Sequence, residues 1–413
     1  MQFKKLPLAV ALGTMLVGSA AMAQSSVQLY GKLYPYFLHE KGTSPTAVGT
    51  PVSTLSAAPT GTVGVSGING FISGNSRWGM RGTEDMGGGL KANFQLESQL
   101  QVDDGTGAGS GGGLLFNRNT YVGLQGHWGE IKLGNHDTIF KEYGDTIGFL
   151  GLSSGTFMST SNVLRKTGFG LSSASSFHLR RANSVIYETP EIGGFTGGLQ
   201  WSTNEDPSGG QRNRRVISMG VKWDNGPFYV ALAHEIHRDL FGGSANAPSA
   251  LRNNGATDLT NSKDKATQLT VEWRPTKAHK FEFDAIRKEY KESGTLAGGA
   301  PLPGTRFSSY RNMAYLLAME NRWGNKFRTA AHVVWSKAGT CTRVAAACNT
   351  DGLDGKQITI GASYYLSKRT YLWTAASRLI NGKSARFNNN DFDQDPNPGE
   401  DINHFAIGIS HSF

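Results

Sequence analysis

Ile217-Ser218-Met219-Gly220-Val221-Lys222-Trp223, followed by Asp224-Asn225-Gly226 and then Phe228, decides the fold. Odd positions of the run are apolar and even positions small or polar. Side chains two apart share one face of a strand, so this segment is greasy on one side and wet on the other. Asp-Asn-Gly then supplies the positive φ angles of a tight hairpin. The unit recurs along the chain. Ile358-Thr359-Ile360-Gly361-Ala362-Ser363-Tyr364 alternates in the same way, with its apolar residues on even positions. Leu269, Val271 and Trp273 alternate with Gln268, Thr270 and Glu272, and Met313, Tyr315, Leu317 and Met319 with Asn312, Ala314 and Glu320.

Short turns of the same kind are predicted at 84–89, 127–129, 191–194, 224–226, 275–278, 324–325 and 367–369. Long polar loops are predicted near 42–67, 103–115, 137–178, 205–214, 239–264, 292–309, 338–355 and 382–402. Turns and loops taken in alternation imply sixteen antiparallel strands. An even count with short turns at one end and long loops at the other is the pattern of an outer-membrane barrel, with both termini on the periplasmic side. A soluble β-sandwich alternates similarly; aromatic placement separates the two. Trp223 and Phe228 flank one short turn, Trp273 and Phe281 the next, and Trp323 and Phe327 the one after, all on the apolar parity of their strands. Rings gathered at one level suit the boundary between headgroup and hydrocarbon, which a sandwich does not have.

Composition agrees. Glycine is abundant, at 54 of 413 residues, while apolar residues make up only 38% and mean hydropathy is −0.35. A wide barrel with a wet lumen needs no long buried apolar segments. The N-terminus carries an export signal: basic Lys4 and Lys5, a short apolar run from Leu6 to Val17, and Ala21-Met22-Ala23 as a small-residue cleavage site. Residues 1–23 are therefore expected to be removed, leaving a single barrel domain over 24–413. The formal net charge of +9 falls to about +7 without the two signal lysines. An exported protein does not meet the genome, so this charge points to a positive pore favouring anions and not to nucleic acid. Cys341 and Cys348 share one Gly/Ala/Thr-rich stretch, and in an oxidising compartment they read as a disulfide closing a small loop. Phe405, Ile407, Ile409, His411 and Phe413 alternate up to a terminal Phe. That ending resembles the signal read by the outer-membrane assembly machinery, with Phe413 as its main element.

Ser26-Val27-Gln28-Leu29-Tyr30-Gly31, the block from Ser76-Arg77-Trp78-Gly79 to Leu90-Lys91-Ala92, Phe116-Asn117-Arg118-Asn119-Thr120-Tyr121, Gly129-Glu130-Ile131-Lys132-Leu133-Gly134, Asn183-Ser184-Val185-Ile186-Tyr187-Glu188 and the closing His411-Ser412-Phe413 resemble, in order, segments of the general porins of Gram-negative bacteria, in their β-proteobacterial branch. The resemblance implies a sixteen-stranded transmembrane barrel, a homotrimer with one water-filled pore per subunit, and a third long loop folded inward to narrow the pore. It implies as partners small hydrophilic solutes and ions, outer-membrane lipid and lipopolysaccharide, and the assembly machinery. It implies no cofactor and no catalytic centre. The third loop, at roughly 42 residues, is well above the length at which structureless loops become uncommon.

By motif position the resemblance places a basic cluster on the pore wall at Arg77, Arg118 and Arg180. Parity independently points Arg77, Arg81 and Arg180 into the lumen. Simple counting puts Arg118 on the side of Val122 and Leu124; a bulge, or a position above the hydrocarbon band, would turn it inward. The facing acids of the third loop are Asp137, Glu142 and Asp145. Opposed charges across a narrow passage orient water and polar solutes, and an excess of one sign favours counter-ions. Lys91, Glu272, Glu282 and Lys288 read as ordinary solvated wall charges. His234-Glu235-Ile236-His237 spaces its histidines three apart on a strand, so they point to opposite faces and make no zinc site. The acidic run from Asp391 to Glu400 reads as a solvated loop. Tyr30, Tyr34 and Tyr36 share one parity, which keeps a substrate-specific channel with an aromatic slide as an alternative. An outer-membrane enzyme or an adhesin barrel is the alternative of another class.

Overall fold

The computed structural model describes residues 26–106, 115–144, 146–152, 154–203, 214–253, 255 and 258–413. The signal segment and Asp145 lie outside the described residues. The chain forms one closed antiparallel barrel of sixteen strands: β1 (Ser26–Leu33 and Tyr36–Thr43), β2 (Ile68–Ile72 and Arg77–Gly87), β3 (Leu90–Gln99), β4 (Thr120–Gly126), β5 (Gly129–Asp137), β6 (Arg180–Glu188), β7 (Phe195–Thr203), β8 (Arg215–Asn225), β9 (Phe228–Arg238), β10 (Asp258–Thr276), β11 (His279–Leu296), β12 (Phe307–Trp323), β13 (Phe327–Ser336 and Thr340–Arg343), β14 (Gly355–Tyr365), β15 (Thr370–Asn381) and β16 (Asp401–Ser412).

The break in β1 has a local cause. Pro35 has no N–H to give to a ladder, so the strand bends there, and the Tyr34 N–H goes to Ser76 Oγ at 2.8 Å. Below the bend β1 pairs with β2 from Ser26–Thr83 to Lys32–Arg77; above it, Tyr36–Thr43 pairs with β16. The barrel closes through Leu33–His411 and Lys32–Ser412, and through reciprocal backbone hydrogen bonds of 3.1 Å between Gly31 and Phe413. The Phe413 ring lies over Gly31 where any Cβ would stand, so glycine is required at that point of the seam.

Outward-facing positions carry the apolar alternation. Val122, Leu133, Leu232, Leu317, Ile360 and Ile407 are each at least 45% exposed in the isolated chain, as a lipid-facing surface must be. Trp273 stacks on Phe281 and pairs with it across the ladder, as Trp323 pairs with Phe327. Strand lengths depart from the expectation on one side. β10 and β11 run 19 and 18 residues, so the loops anticipated at 239–264 and 292–309 are shorter than the sequence suggested. Asn261, Ser262 and Lys263 belong to a strand although they break the apolar alternation. A strand needs only about 9–11 residues to cross the hydrocarbon. Beyond that level no lipid demands an apolar face, and pairing continues without the pattern.

Candidate pore constriction

The third loop, residues 138–179, joins β5 to β6 and folds back inside the barrel. Its first helix, α1 (Ile139–Gly144), lies against the inner faces of β7, β8 and β9. Two wall glycines make room for it. A Cβ at Gly198 would stand 2.7 Å from the Tyr143 hydroxyl, and one at Gly220 would stand 2.9 Å from the Tyr143 ring. The wall then holds the loop by its backbone. Gln200 Oε1 accepts from the Ile139 N–H at 3.1 Å and Ser218 Oγ from the Phe140 N–H at 2.8 Å. On the far side His332 meets the Met158 carbonyl at 3.0 Å, and the Gln357 amide donates to the Phe157 carbonyl at 2.9 Å. Tyr34 and Tyr371 hydroxyls both donate to the Leu150 carbonyl. Buried loop backbone needs partners, and here inward wall side chains supply them.

Three of the arginines singled out from the sequence come together on the wall over β2–β6. Arg77 Nε lies 3.7 Å from Glu97 Oε2, and Arg118 Nε donates to Glu97 Oε1. Tyr30 donates to Glu97 Oε2 at 3.0 Å. Arg180 donates to Asn119 Oδ1 at 2.7 Å and lies 3.0 Å from Asp137 Oδ1, which also takes Lys141 Nζ at 2.9 Å. Arg118 reaches the lumen because β4 starts only at Thr120. Asn117, Arg118 and Asn119 are irregular backbone following Phe116 at φ 60°, so counting from Val122 does not apply to them. Arg81 sits further along β2, over the Tyr30 ring at 5.0 Å and bonded to Gln28. It is outside the three-arginine group. Three wall arginines and Lys141 of α1 therefore stand against two carboxylates, Glu97 and Asp137, and both carboxylates are engaged by those cations.

The loop acids are arranged differently from the expectation. Asp137 is the last residue of β5 and pairs across the ladder with Arg180, so it neutralises the wall and does not face it across the gap. Glu142 sits on α1, 3.8 Å from His136 Nδ1, near Lys132, which binds Glu130 at 3.2 Å and Glu188 at 3.0 Å. Enclosure by the wall, with the Glu188 carboxylate next, pushes Glu142 up to about 8.

Several wall charges expected to be solvated are instead buried beneath the loop. Lys288 is fully buried and donates to the Leu164 and Lys166 carbonyls at 2.8 and 2.6 Å. Glu282 accepts from the Thr146 hydroxyl at 2.6 Å, and Glu272 pairs with Lys280 and Arg274. Lys91 is exposed. Inward parity was legible for these residues; what would cover them was not. The acidic loop is solvated only in part: Asp393 and Asp395 are exposed, whereas Asp391 and Glu400 are engaged. Asp391 accepts from the Tyr36 hydroxyl and the Phe157 N–H, and Glu400 from the backbone N–H groups of Gly64, Val65 and Asn397. Tyr34 and Tyr36 are buried against Trp373 and Phe157. They pack the loop in place and offer no slide to a passing solute; Tyr30 alone of the three keeps contact with the lumen. Glu235 bonds His237 at 2.8 Å inside the wall while His234 bonds Thr267, which places the two histidines on opposite faces. Cys341 and Cys348 are joined in a disulfide at the top of β13.

Two residues of the site were not singled out from the sequence. Glu97 shares inward parity with Gln95 and Lys91, which is the signal that would have found it. Lys32, whose Nζ donates to the Gly151 carbonyl, lies next to Gly31 in the first strand and could have been read from the same parity.

Comparison with known proteins agrees with this architecture. The Gram-negative porin family pattern matches residues 8–384. Outer membrane porin protein 32 of Delftia acidovorans is 33% identical over 240 residues, covering 57% of this chain and 61% of that protein. An outer membrane porin protein of Bordetella pertussis is 36% identical over 179 residues, covering 41% of this chain and 43% of its own length; the match thus spans about half the length of these two relatives. The major outer membrane protein P.IB of Neisseria gonorrhoeae is 30% identical, with 75% of this chain and 79% of that protein covered. Among solved structures, the anion-selective porin from Comamonas acidovorans superposes with a TM-score of 0.67 at 23% identity, covering 94% of this chain and all of that one. Closed sixteen-strand barrel, apolar outer band and family pattern agree, and the chain belongs to the family of Gram-negative porins, β-barrels of the outer membrane.

Proposed function

We propose that the barrel is a water-filled pore for passive diffusion of small hydrophilic solutes and ions, with a mild preference for anions. The observation that carries this is the cluster at the constriction, where among the described residues Arg77, Arg118, Arg180 and Lys141 pair with two carboxylates, Glu97 and Asp137. A fixed excess of positive charge where the loop narrows the lumen attracts anions and repels cations. The outer membrane porins among its relatives, and the anion-selective porin that shares its fold, support the same reading. No enzymatic role is proposed. The low wall at β3–β7, 7–10 residues per strand, suits the flank where subunits of a homotrimer pack. Lipopolysaccharide and lipid meet the outer face, Phe413 serves the assembly machinery, and the mature chain starts near Gln24. Planar-bilayer recordings under a salt gradient test the proposal. A reversal potential on the anion side is expected; zero or a cation-side value overturns it.

A pH dependence follows from Glu142. It gains its negative charge as pH rises through about 8, so the anion preference falls between pH 7 and 9. One charge at this position changes the anion-to-cation permeability ratio by about twofold after screening. Glu142→Gln reduces that pH shift. His136, Lys132 and Glu188 surround the group and remain in the variant. Reversal potentials at pH 7 and 9 compare the two, and equal shifts would remove Glu142 from the conduction path.

A further inference from the structure

Between the third loop and the loop 382–400 lies a polar cavity of about 290 Å³, lined by Thr156, Asn162 and Lys166 on one side and Arg386, Asn389 and Asn390 on the other. Resting on the reading of the barrel as a pore, we propose that this cavity is a binding subsite for small polyhydroxylated carboxylates, the sugar-acid class. Its volume suits a single monosaccharide-sized ligand, below the range of drug-sized pockets.

The donors and acceptors dictate the ligand. Asn389 is 3% exposed; its amide Nδ2 donates to the Phe157 carbonyl at 3.1 Å, which fixes the side chain, while Oδ1 has no partner. A buried acceptor without a donor costs free energy that an incoming hydroxyl recovers. Asn390 is oriented the opposite way. Its Oδ1 accepts from the Phe392 and Gln394 N–H groups at 2.6 and 3.2 Å, and its Nδ2 is unpartnered. Together the two amides offer one acceptor and one donor, the pair a hydroxyl group satisfies. The charged end is set by Lys166, whose ammonium meets neither an acid nor a carbonyl among the described residues. Burial pulls its ammonium below the usual lysine range, and a carboxylate would restore it. Arg386 gives its Nε to the Pro396 carbonyl and has Asp395 as counter-charge. Asp391, also on the cavity wall, is occupied by Tyr36 and Phe157. Among the described residues the cavity thus offers the Lys166 ammonium, the terminal guanidinium nitrogens of Arg386, one amide acceptor and one amide donor, with the exposed Asp395 carboxylate at its rim, a set that a carboxylate carrying hydroxyls matches better than chloride or a neutral sugar does.

Calorimetric titration of the full detergent-solubilised protein with sodium gluconate, sodium acetate and glucose tests this. Saturable gluconate binding is expected, at least tenfold tighter than acetate or glucose. Lys166→Met should weaken gluconate roughly tenfold, the worth of a charge-assisted hydrogen bond, and Lys166→Arg should recover most of it. Lys383→Met, at an exposed loop lysine paired with Asp351, should leave gluconate binding unchanged. Equal binding of gluconate, acetate and glucose, or gluconate binding insensitive to Lys166→Met, overturns the subsite. Chloride conductance of the same preparation reports on the pore separately. A conducting protein that ignores gluconate sinks the subsite alone, and a silent one sinks the pore reading while the titration still decides the subsite.

Discussion

A channel with Arg77, Arg118 and Arg180 all replaced by glutamine should lose its anion preference and cross to cation selectivity. Before substitution the cluster at the constriction holds four cations and two carboxylates; afterwards Lys141 alone of the four faces Glu97 and Asp137. An ion passing about 8 Å from a unit charge in a water-like medium feels about 0.5 kcal/mol, and physiological salt removes roughly half of that. Three charges then amount to roughly 0.7 kcal/mol, with opposite sign for anion and cation, so the permeability ratio moves by about tenfold. The fold should survive. Glu97 keeps the Tyr30 hydroxyl, and the arginines are 16–26% exposed to the lumen, where water can replace them. A reversal potential that stays on the anion side in a folded triple variant would mean that selectivity is set elsewhere, for which Lys32, the cross-strand neighbour of Arg77, is the first candidate.

This prediction draws on residues whose inward direction the sequence could supply, and on an arrangement it could not. Alternation with period two places Arg77, Arg81 and Arg180 by arithmetic, because each lies in or at the end of a strand whose lipid-facing partners are plainly apolar. Arg118 defeated the arithmetic, because it stands before its strand begins and irregular backbone has no parity. The loop was harder still. Its length announced a task, and the resemblance to known porins implied that it turns inward, but nothing in residues 138–179 states which wall groups it will cover. Lys288 and Glu282 look like solvated wall charges until the loop is laid over them. Asp391 and Glu400 look like a solvated acidic run until their carboxylates are seen collecting backbone N–H groups. Long-range contacts between loops and wall decide burial here, and the local pattern carries no trace of them. The same reason explains β10 and β11. Pairing extends wherever a neighbour strand continues, whereas alternation marks only the part immersed in lipid.

The lipid-facing band itself supports the second large effect: Ile360→Arg should destabilise the folded barrel in membranes by about 2–4 kcal/mol, the range for a basic residue on the lipid face at the bilayer midplane. Ile360 is 58% exposed in the isolated chain and pairs with Ala331 and Ala376, leaving its side chain to the bilayer. It lies four residues from Tyr364, which pairs with Phe327 at the aromatic level near the short turns. Four residues of strand span about 13 Å, or about 10 Å of depth once the strand tilts, close to half of an apolar band about 25 Å tall. A guanidinium there cannot reach either interface without distorting the bilayer. Tyr364→Arg on the same strand and face should cost no more than about 1 kcal/mol, because at the interface the charge snorkels to the headgroups. Denaturant titration of refolding into lipid vesicles measures both variants under one set of conditions, and the difference between them cancels whatever the substitution does to the unfolded chain. Were the two costs equal, the outer face of β14 would have no depth dependence, and depth dependence is what a surface immersed in hydrocarbon must show and a surface in water cannot.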